Sequence, residues 1–196
     1  MKITLLILIV FFTLKNINGQ SKPIQKYYNS PAYIQTEAES LAKKYLIKEV
    51  LNSSNETTSF EIDYISSAIS GEVSTLAYNC REQKKGGVIF TFFGGFGNEY
   101  GTYYTGYAFR NLDKDSTLKL LNRLKNEITF VSEIQNKDFN IYFSFSDMTF
   151  LLNKFTSSEF GSVRIKMFWR EFEADWTRLA IEKSHKRIEN WFFNKN

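Results

Sequence analysis

The run Val88-Ile-Phe-Thr-Phe-Phe93 is the tightest constraint the chain carries. Nearly every residue in it is apolar and either β-branched or aromatic, so an extended strand here tolerates water on neither side. Such a strand belongs inside a sheet with both faces covered. The rest of the chain has to supply those covers.

The flanking segments read as further strands. Glu72 to Cys80 alternates, with Leu76, Tyr78 and Cys80 on one face. In Thr102 to Arg110, Tyr103, Thr105, Tyr107 and Phe109 share one side. Small Gly106 and Ala108 occupy the other side, where a helix can pack close. Phe139, Ile141, Phe143 and Phe145 alternate with polar Asn140, Ser144 and Ser146. Met148 to Leu152 either continues that strand past a bulge or returns as its hairpin partner, because the parity flips at Asp147. Val163, Ile165, Met167 and Trp169 form one more apolar face. Phe60 to Ser70 fits a strand through Phe60, Ile62 and Tyr64, or a helix turn through Ile62, Ile65 and Ile69.

Three stretches carry the helical period. Thr36-Glu37-Ala38-Glu39 is spaced as a capping box, and Pro31 offers a start one turn earlier. Asn111 to Asp115 leads into a second helix with Leu118, Leu121, Leu124, Ile128 and Val131 on its buried side. The third is predicted from about Asp175 to Phe192, with Trp176, Leu179, Ala180, Ile188, Trp191 and Phe192 as its apolar face. The fold class is therefore α+β: a mainly antiparallel β-sheet with about three amphipathic helices packed on it as a single layer pair. This domain spans residues 36–196 and follows a polar leader over residues 20–35.

Residues 1–19 point to export. Lys2 precedes an apolar run from Ile3 to Leu14, which at helical rise spans roughly 18 Å against a hydrocarbon core of ~30 Å. Lys15 ends the run, and small Gly19 precedes Gln20, the layout of a cleavable secretory signal. The expected location is the periplasm, the cell surface or the exterior of a bacterium, with no membrane span left after cleavage. Two asparagine sequons, at Asn52 and Asn55, sit in a polar loop where turn chemistry already favours such residues. Without Lys2 and Lys15, the formal balance drops from 25 bases against 21 acids to 23 against 21. Lysines and arginines form only short runs, such as Lys84–Lys85 and Lys183–Arg187, which argues against nucleic acid as a partner. The lone Cys80 cannot form an intramolecular disulfide, so the core has to rest on 19 Phe and 11 Tyr.

The candidate chemistry is sparse. Five of the ten glycines fall between Phe93 and Phe109, but their spacing is GxGxxxG and a strand, not a helix, follows. Phosphate cradling needs the helix, so this reads as a wide hairpin. Its Asn98, Glu99 and Tyr100, with Tyr104 beside them, are the binding candidates. Cys80 and His185 are the residue types of a Cys–His hydrolase, yet Cys80 shares a strand face with Leu76 and Tyr78 and His185 borders an apolar helical stripe. One His and one Cys cannot build a zinc cage, and no cofactor is expected. Asn111 to Asp115 opens like a calcium loop, but Ser116 and Asn122 stand where glycine and glutamate are required. Helix capping is the expected role of that segment. Glu171, Glu173 and Asp175 are expected to cap the third helix and pair with Arg170 and Arg178. The reading favours a non-enzymatic domain that binds a protein or cell-envelope component. A carrier of a small hydrophobic or carbohydrate ligand is the alternative, and a Cys–His hydrolase the third.

Overall fold

A computed structural model of the protein describes residues 31–51, 57–68, 72–97, 102–135, 137–155, 163–170 and 172–194. The signal-like segment, the leader up to Ser30, both sequon asparagines and the loop residues Asn98 to Tyr100 lie outside them. Residues from Pro31 onward form one compact unit.

The first helix, α1 (Pro31–Tyr45), begins at the proline, as a ring with a fixed φ and no N–H allows. The expected capping box does not form. Thr36 is already a turn inside the helix, and its hydroxyl donates to the Ala32 carbonyl at 3.0 Å. Ile34, Ala38, Ala42 and Leu46 recur every four residues and are buried. The helix then widens into a π-helical turn, Leu46–Val50, closed by the Leu51 N–H on the Leu46 carbonyl at 2.8 Å.

Four strands follow as an antiparallel meander: β1 (Glu61–Ser67), β2 (Val73–Cys80), β3 (Lys85–Gly97) and β4 (Tyr103–Asp113). The ambiguous Phe60 segment is thus a strand, and β3 is the interior strand its composition demands. Helix α2 (Lys114–Glu133) is capped by Asp113, whose Oδ1 accepts the Ser116 N–H at 2.7 Å. That backbone bond holds the Asp113 carboxyl below its usual range. A second antiparallel meander contains β5 (Phe139–Phe145), β6 (Met148–Lys154), β7 (Arg164–Trp169) and β8 (Phe172–Thr177). Met148 therefore starts a hairpin partner, not a bulged continuation.

The chain ends in α3 (Arg178–Asn194), which starts three residues later than the period implied. Trp176 belongs to β8, where it is buried against Phe90 in an edge-on pair at 5.8 Å. Leu179 is half exposed instead of buried, and Ser184 and His185 take inner positions on α3. Ser184 is tolerated there because its hydroxyl joins Ser66 and Thr75 of β1 and β2 in one buried cluster.

The two meanders meet where Gly95 of β3 pairs with Glu173 of β8. Neighbouring Gly94 leaves the necessary room. A Cβ built on it would lie 2.2 Å from the Glu173 carbonyl oxygen, a distance only the absence of a side chain permits. Both sheets turn one face to a common core around α2 and α3. The other face of the first sheet carries Leu76, Tyr78, Cys80 and Ile89 and is covered by α1. Helices therefore lie on both sides of the first sheet, three layers there instead of the single pair expected. The physical cause is β3, which is apolar on both faces.

Candidate functional site

Three non-glycine residues among those described have positive φ: Lys84 at 51°, Ser146 at 56° and Arg170 at 54°. Each sits in a turn between consecutive strands, where glycine would adopt the same backbone freely. An L-residue there carries a penalty on the order of 1 kcal/mol. All three turns border one cleft.

The cleft has two lobes. The first, about 540 Å³, lies between Tyr45 at the end of α1, Glu49 in the π-helical turn, Arg110 on β4, Trp169 at the end of β7, and Asp147 and Arg170 on the turns of the second sheet. The second, about 500 Å³, runs past Tyr78 and Asn111 to Lys84 in the β2–β3 turn and Lys85 at the start of β3. Tyr45, Glu49 and Arg110 belong to the walls of both.

Local structure places these side chains. The π-helical turn widens the backbone just after Tyr45, and such single turns recur at functional sites. Its end is tied down by Lys85, whose Nζ donates to the Val50 carbonyl at 2.6 Å. Tyr45 stacks on Phe109 of β4 at 5.5 Å, which holds its ring against the sheet.

Arg110 reaches from β4 to the β5–β6 turn. Its Nε lies 2.8 Å from Asp147 Oδ1 as an off-line ion pair, and its NH2 group donates to Ser146 Oγ at 2.8 Å. The other oxygen of Asp147 accepts the Trp169 indole N–H at 2.8 Å. Burial works to raise the Asp147 carboxyl, but Trp169, its own backbone N–H, Arg110 and Ser146 together hold it below its usual range. Arg110 and Asp147 are thus committed to each other.

Of the remaining charges in the walls, Lys85 is held by the Val50 carbonyl and Asp113 by the Ser116 N–H, which leaves Arg170, Lys84 and Glu49. Arg170 lies over the Trp169 ring at 4.9 Å and makes no ion pair with any described residue. Lys84 and Glu49 make none either among the described residues. Burial raises the Tyr45 phenol, against the opposing pull of the Asn111 N–H and Arg110, so it stays protonated as a donor. Asn111 Oδ1 is buried beside the Tyr78 hydroxyl without a hydrogen bond of good geometry. The cleft therefore offers donors from Arg170, Lys84 and Tyr45 and acceptors from Glu49 and Asn111.

The residues singled out from sequence lie elsewhere. Cys80 is fully buried under α1, among Ala42, Leu46 and Leu76. His185 is on α3, on the opposite side of the first sheet, with Nε2 3.2 Å from Glu189 Oε1. It borders a separate groove of about 380 Å³ between α2 and α3. The structure does not bring this thiol and imidazole together. Tyr104 is on β4 in register with Phe96, and Asn98, Glu99 and Tyr100 lie outside the described residues.

Of the three carboxylates expected to cap α3, Glu171 lies outside the described residues, and the other two do something different. Glu173 and Asp175 point outward from β8, Glu173 pairs with Lys166, and Arg178 pairs with Glu182. The hydroxyl of Thr177 accepts the Ala180 N–H at 3.3 Å in their place. Among the described residues, no three His, Cys, Asp or Glu side chains gather as a metal site.

Sequence reasoning missed Tyr45, Glu49, Arg110, Asp147, Trp169 and Arg170. One signal was present: the turns at Lys84, Ser146 and Arg170 carry long or polar side chains at positions where tight turns favour glycine or asparagine. No family model matches the chain, and no characterised protein or solved structure matches it.

Proposed function

We propose that this protein is an exported, non-enzymatic binding domain that takes a small ligand in the cleft between α1, β4 and the turns of the second sheet. The observation that carries this reading is that the three left-handed turns, at Lys84, Ser146 and Arg170, place Lys84, Asp147 and Arg170 in the walls of one cleft. Strained turns retain side chains where those side chains do something, and here all three sets of turn residues surround the same space. The uncommitted donors and acceptors described above give that space recognition chemistry. Neither Cys80 nor His185 borders either lobe, so the described residues of the cleft include no Cys–His pair, which favours binding over bond making. Export rests on the Lys2, Ile3–Leu14 and Gly19 pattern.

The test uses the chain's three tryptophans as reporters in nitrogen–proton NMR spectra. Trp169 borders the cleft, while Trp176 is buried in the common core and Trp191 binds Asp63 on β1. A ligand screen should yield compounds that shift the Trp169 indole resonance and leave the other two in place. Hits that move only Trp176 or Trp191, or no hit at Trp169 from a broad screen, would remove the cleft as the site.

A further inference from the structure

We infer that the ligand of this cleft is an acidic saccharide, its carboxylates received by Arg170 at one end and Lys84 at the other. This rests on the cleft being the binding site, and it adds the chemical class of what binds.

Charge comes first. Of the other two cations in the walls, Arg110 is already neutralised by Asp147 and Lys85 is tied to the Val50 carbonyl, while the Asp113 carboxylate is held by the Ser116 N–H. Arg170 and Lys84 are not neutralised by any described residue, and they stand in different lobes. Both occupy left-handed backbone, at φ values of 54° and 51°, where a glycine would fold with less strain. Keeping a long cationic side chain at each of these positions works against stability. That trade is typical of residues retained for binding. A guanidinium and an ammonium both recognise an oxyanion, the guanidinium as a planar fork and the ammonium as a point charge.

The space between the cations is not built for a bare anion. Glu49 presents there a carboxylate with no ion pair among the described residues, which would repel phosphate or a compact dianion. A carboxylate does accept hydrogen bonds from hydroxyls, and so does the buried Asn111 Oδ1. Tyr45 adds a protonated phenol that donates. An acceptor and a donor shared by the two lobes, Glu49 and Tyr45, with one unpaired cation in each lobe, match a chain of hydroxyl-rich rings that carries carboxylates. They do not match inorganic phosphate.

The experiment titrates three probes into the intact protein: a galacturonate trimer, the neutral galactose trimer and inorganic phosphate. Calorimetry and the Trp169 indole resonance are read together. The uronate is expected to bind and shift Trp169, the neutral trimer to bind at least tenfold more weakly, and phosphate to leave Trp169 unmoved. Lys84→Gly and Arg170→Gly should each weaken uronate binding about tenfold. Each should keep or raise the melting temperature, because glycine relieves the left-handed backbone. That combination separates a binding role from a structural one, since a structural residue would lose stability on removal.

Equal binding of the neutral and acidic trimers, or glycine variants with undiminished uronate affinity, would overturn the acidic class while leaving the cleft standing. Phosphate displacing the uronate at equal concentration would also overturn it, in favour of a simple anion site. If none of the three probes moves Trp169, the acidic-saccharide inference falls. The wider cleft reading then stands or falls on the broad screen.

Discussion

Trp169 donates its indole N–H to Asp147 at 2.8 Å, joining the β7–β8 turn to the β5–β6 turn at the rim of the cleft. The same carboxylate faces Arg110 through its other oxygen, so one acid holds an aromatic from one turn and a cation from β4. Replacing it by alanine strands a largely buried N–H, with an expected loss of about 1–3 kcal/mol. Asp147→Asn keeps an acceptor for Trp169 and removes mainly the Arg110 ion pair. That pair is partly exposed, and its loss should stay below about 1 kcal/mol. Guanidinium midpoints of the two variants check this ordering, and equal losses would show that the indole bond is not what holds the turns together.

Gly94 should be among the least replaceable of the described glycines, with Gly87, whose added Cβ would meet the Leu112 carbonyl oxygen at 2.2 Å. A Cβ on Gly94 meets the Glu173 backbone carbonyl at 2.2 Å, and a backbone atom held in a strand pair cannot swing aside. Gly94→Ala is expected to lose on the order of 3 kcal/mol, roughly 6–12 °C in melting temperature for a chain of this size. Gly86→Ala is the control, because its nearest atoms are 3.5 Å away and its change should stay within about 0.5 kcal/mol. A Gly94→Ala protein that melts with the parent would mean that the two meanders do not approach as closely as described.

Alkali should weaken the fold through its buried and part-buried tyrosines. The Tyr107 hydroxyl donates to Glu37 at 2.9 Å, tying β4 to α1. Burial first, and the Glu37 carboxylate second, raise this phenol well above its ordinary value near 10, and burial also raises Tyr45, Tyr64 and Tyr78. A group raised in the folded chain contributes fully below its unfolded value and loses that contribution as pH climbs through the folded one. Urea stability should therefore be level through neutrality and fall above about pH 10. Tyr107→Phe should lose about 1 kcal/mol at neutral pH and show a shallower alkaline decline. An unchanged alkaline slope would assign the decline to the other three tyrosines.

Cys80 should behave as core. It is fully buried beneath α1, so an aromatic disulfide reagent is expected to react with it only as fast as the fold opens. The reaction rate should rise with denaturant in step with unfolding. Rapid stoichiometric modification under native conditions would mean that α1 lifts from the first sheet far more readily than its buried face implies.

Much of the fold was legible along the chain because strands and helices write their periods locally. The run from Val88 to Phe93 announces β3, and Phe139 to Phe145 announces β5 by alternation alone. The N-cap at Asp113 follows from its placement just before an apolar helical stripe. Errors fell where long-range contacts overrode the local pattern. Thr36 looked like a cap, but Pro31 had already started the helix. Trp176 continued a helical stripe in sequence, yet pairing with Ile165 keeps it in β8.

The candidate site was barely legible at all. Tyr45, Arg110, Asp147 and Arg170 are spread over more than half of the chain, and no periodicity links them. The sequence by itself determined the fold class and the interior strand, because both follow from where neighbouring side chains must point. It also ruled out a cysteine-based staple, since one cysteine has no partner. Only the tertiary structure decided that Cys80 and His185 lie on opposite sides of a sheet. It alone brought Lys84, Asp147 and Arg170 to the rim of one cleft. The reason is that a turn's neighbours in space are set by strand order and by the packing of whole sheets. A short window of sequence carries no record of either.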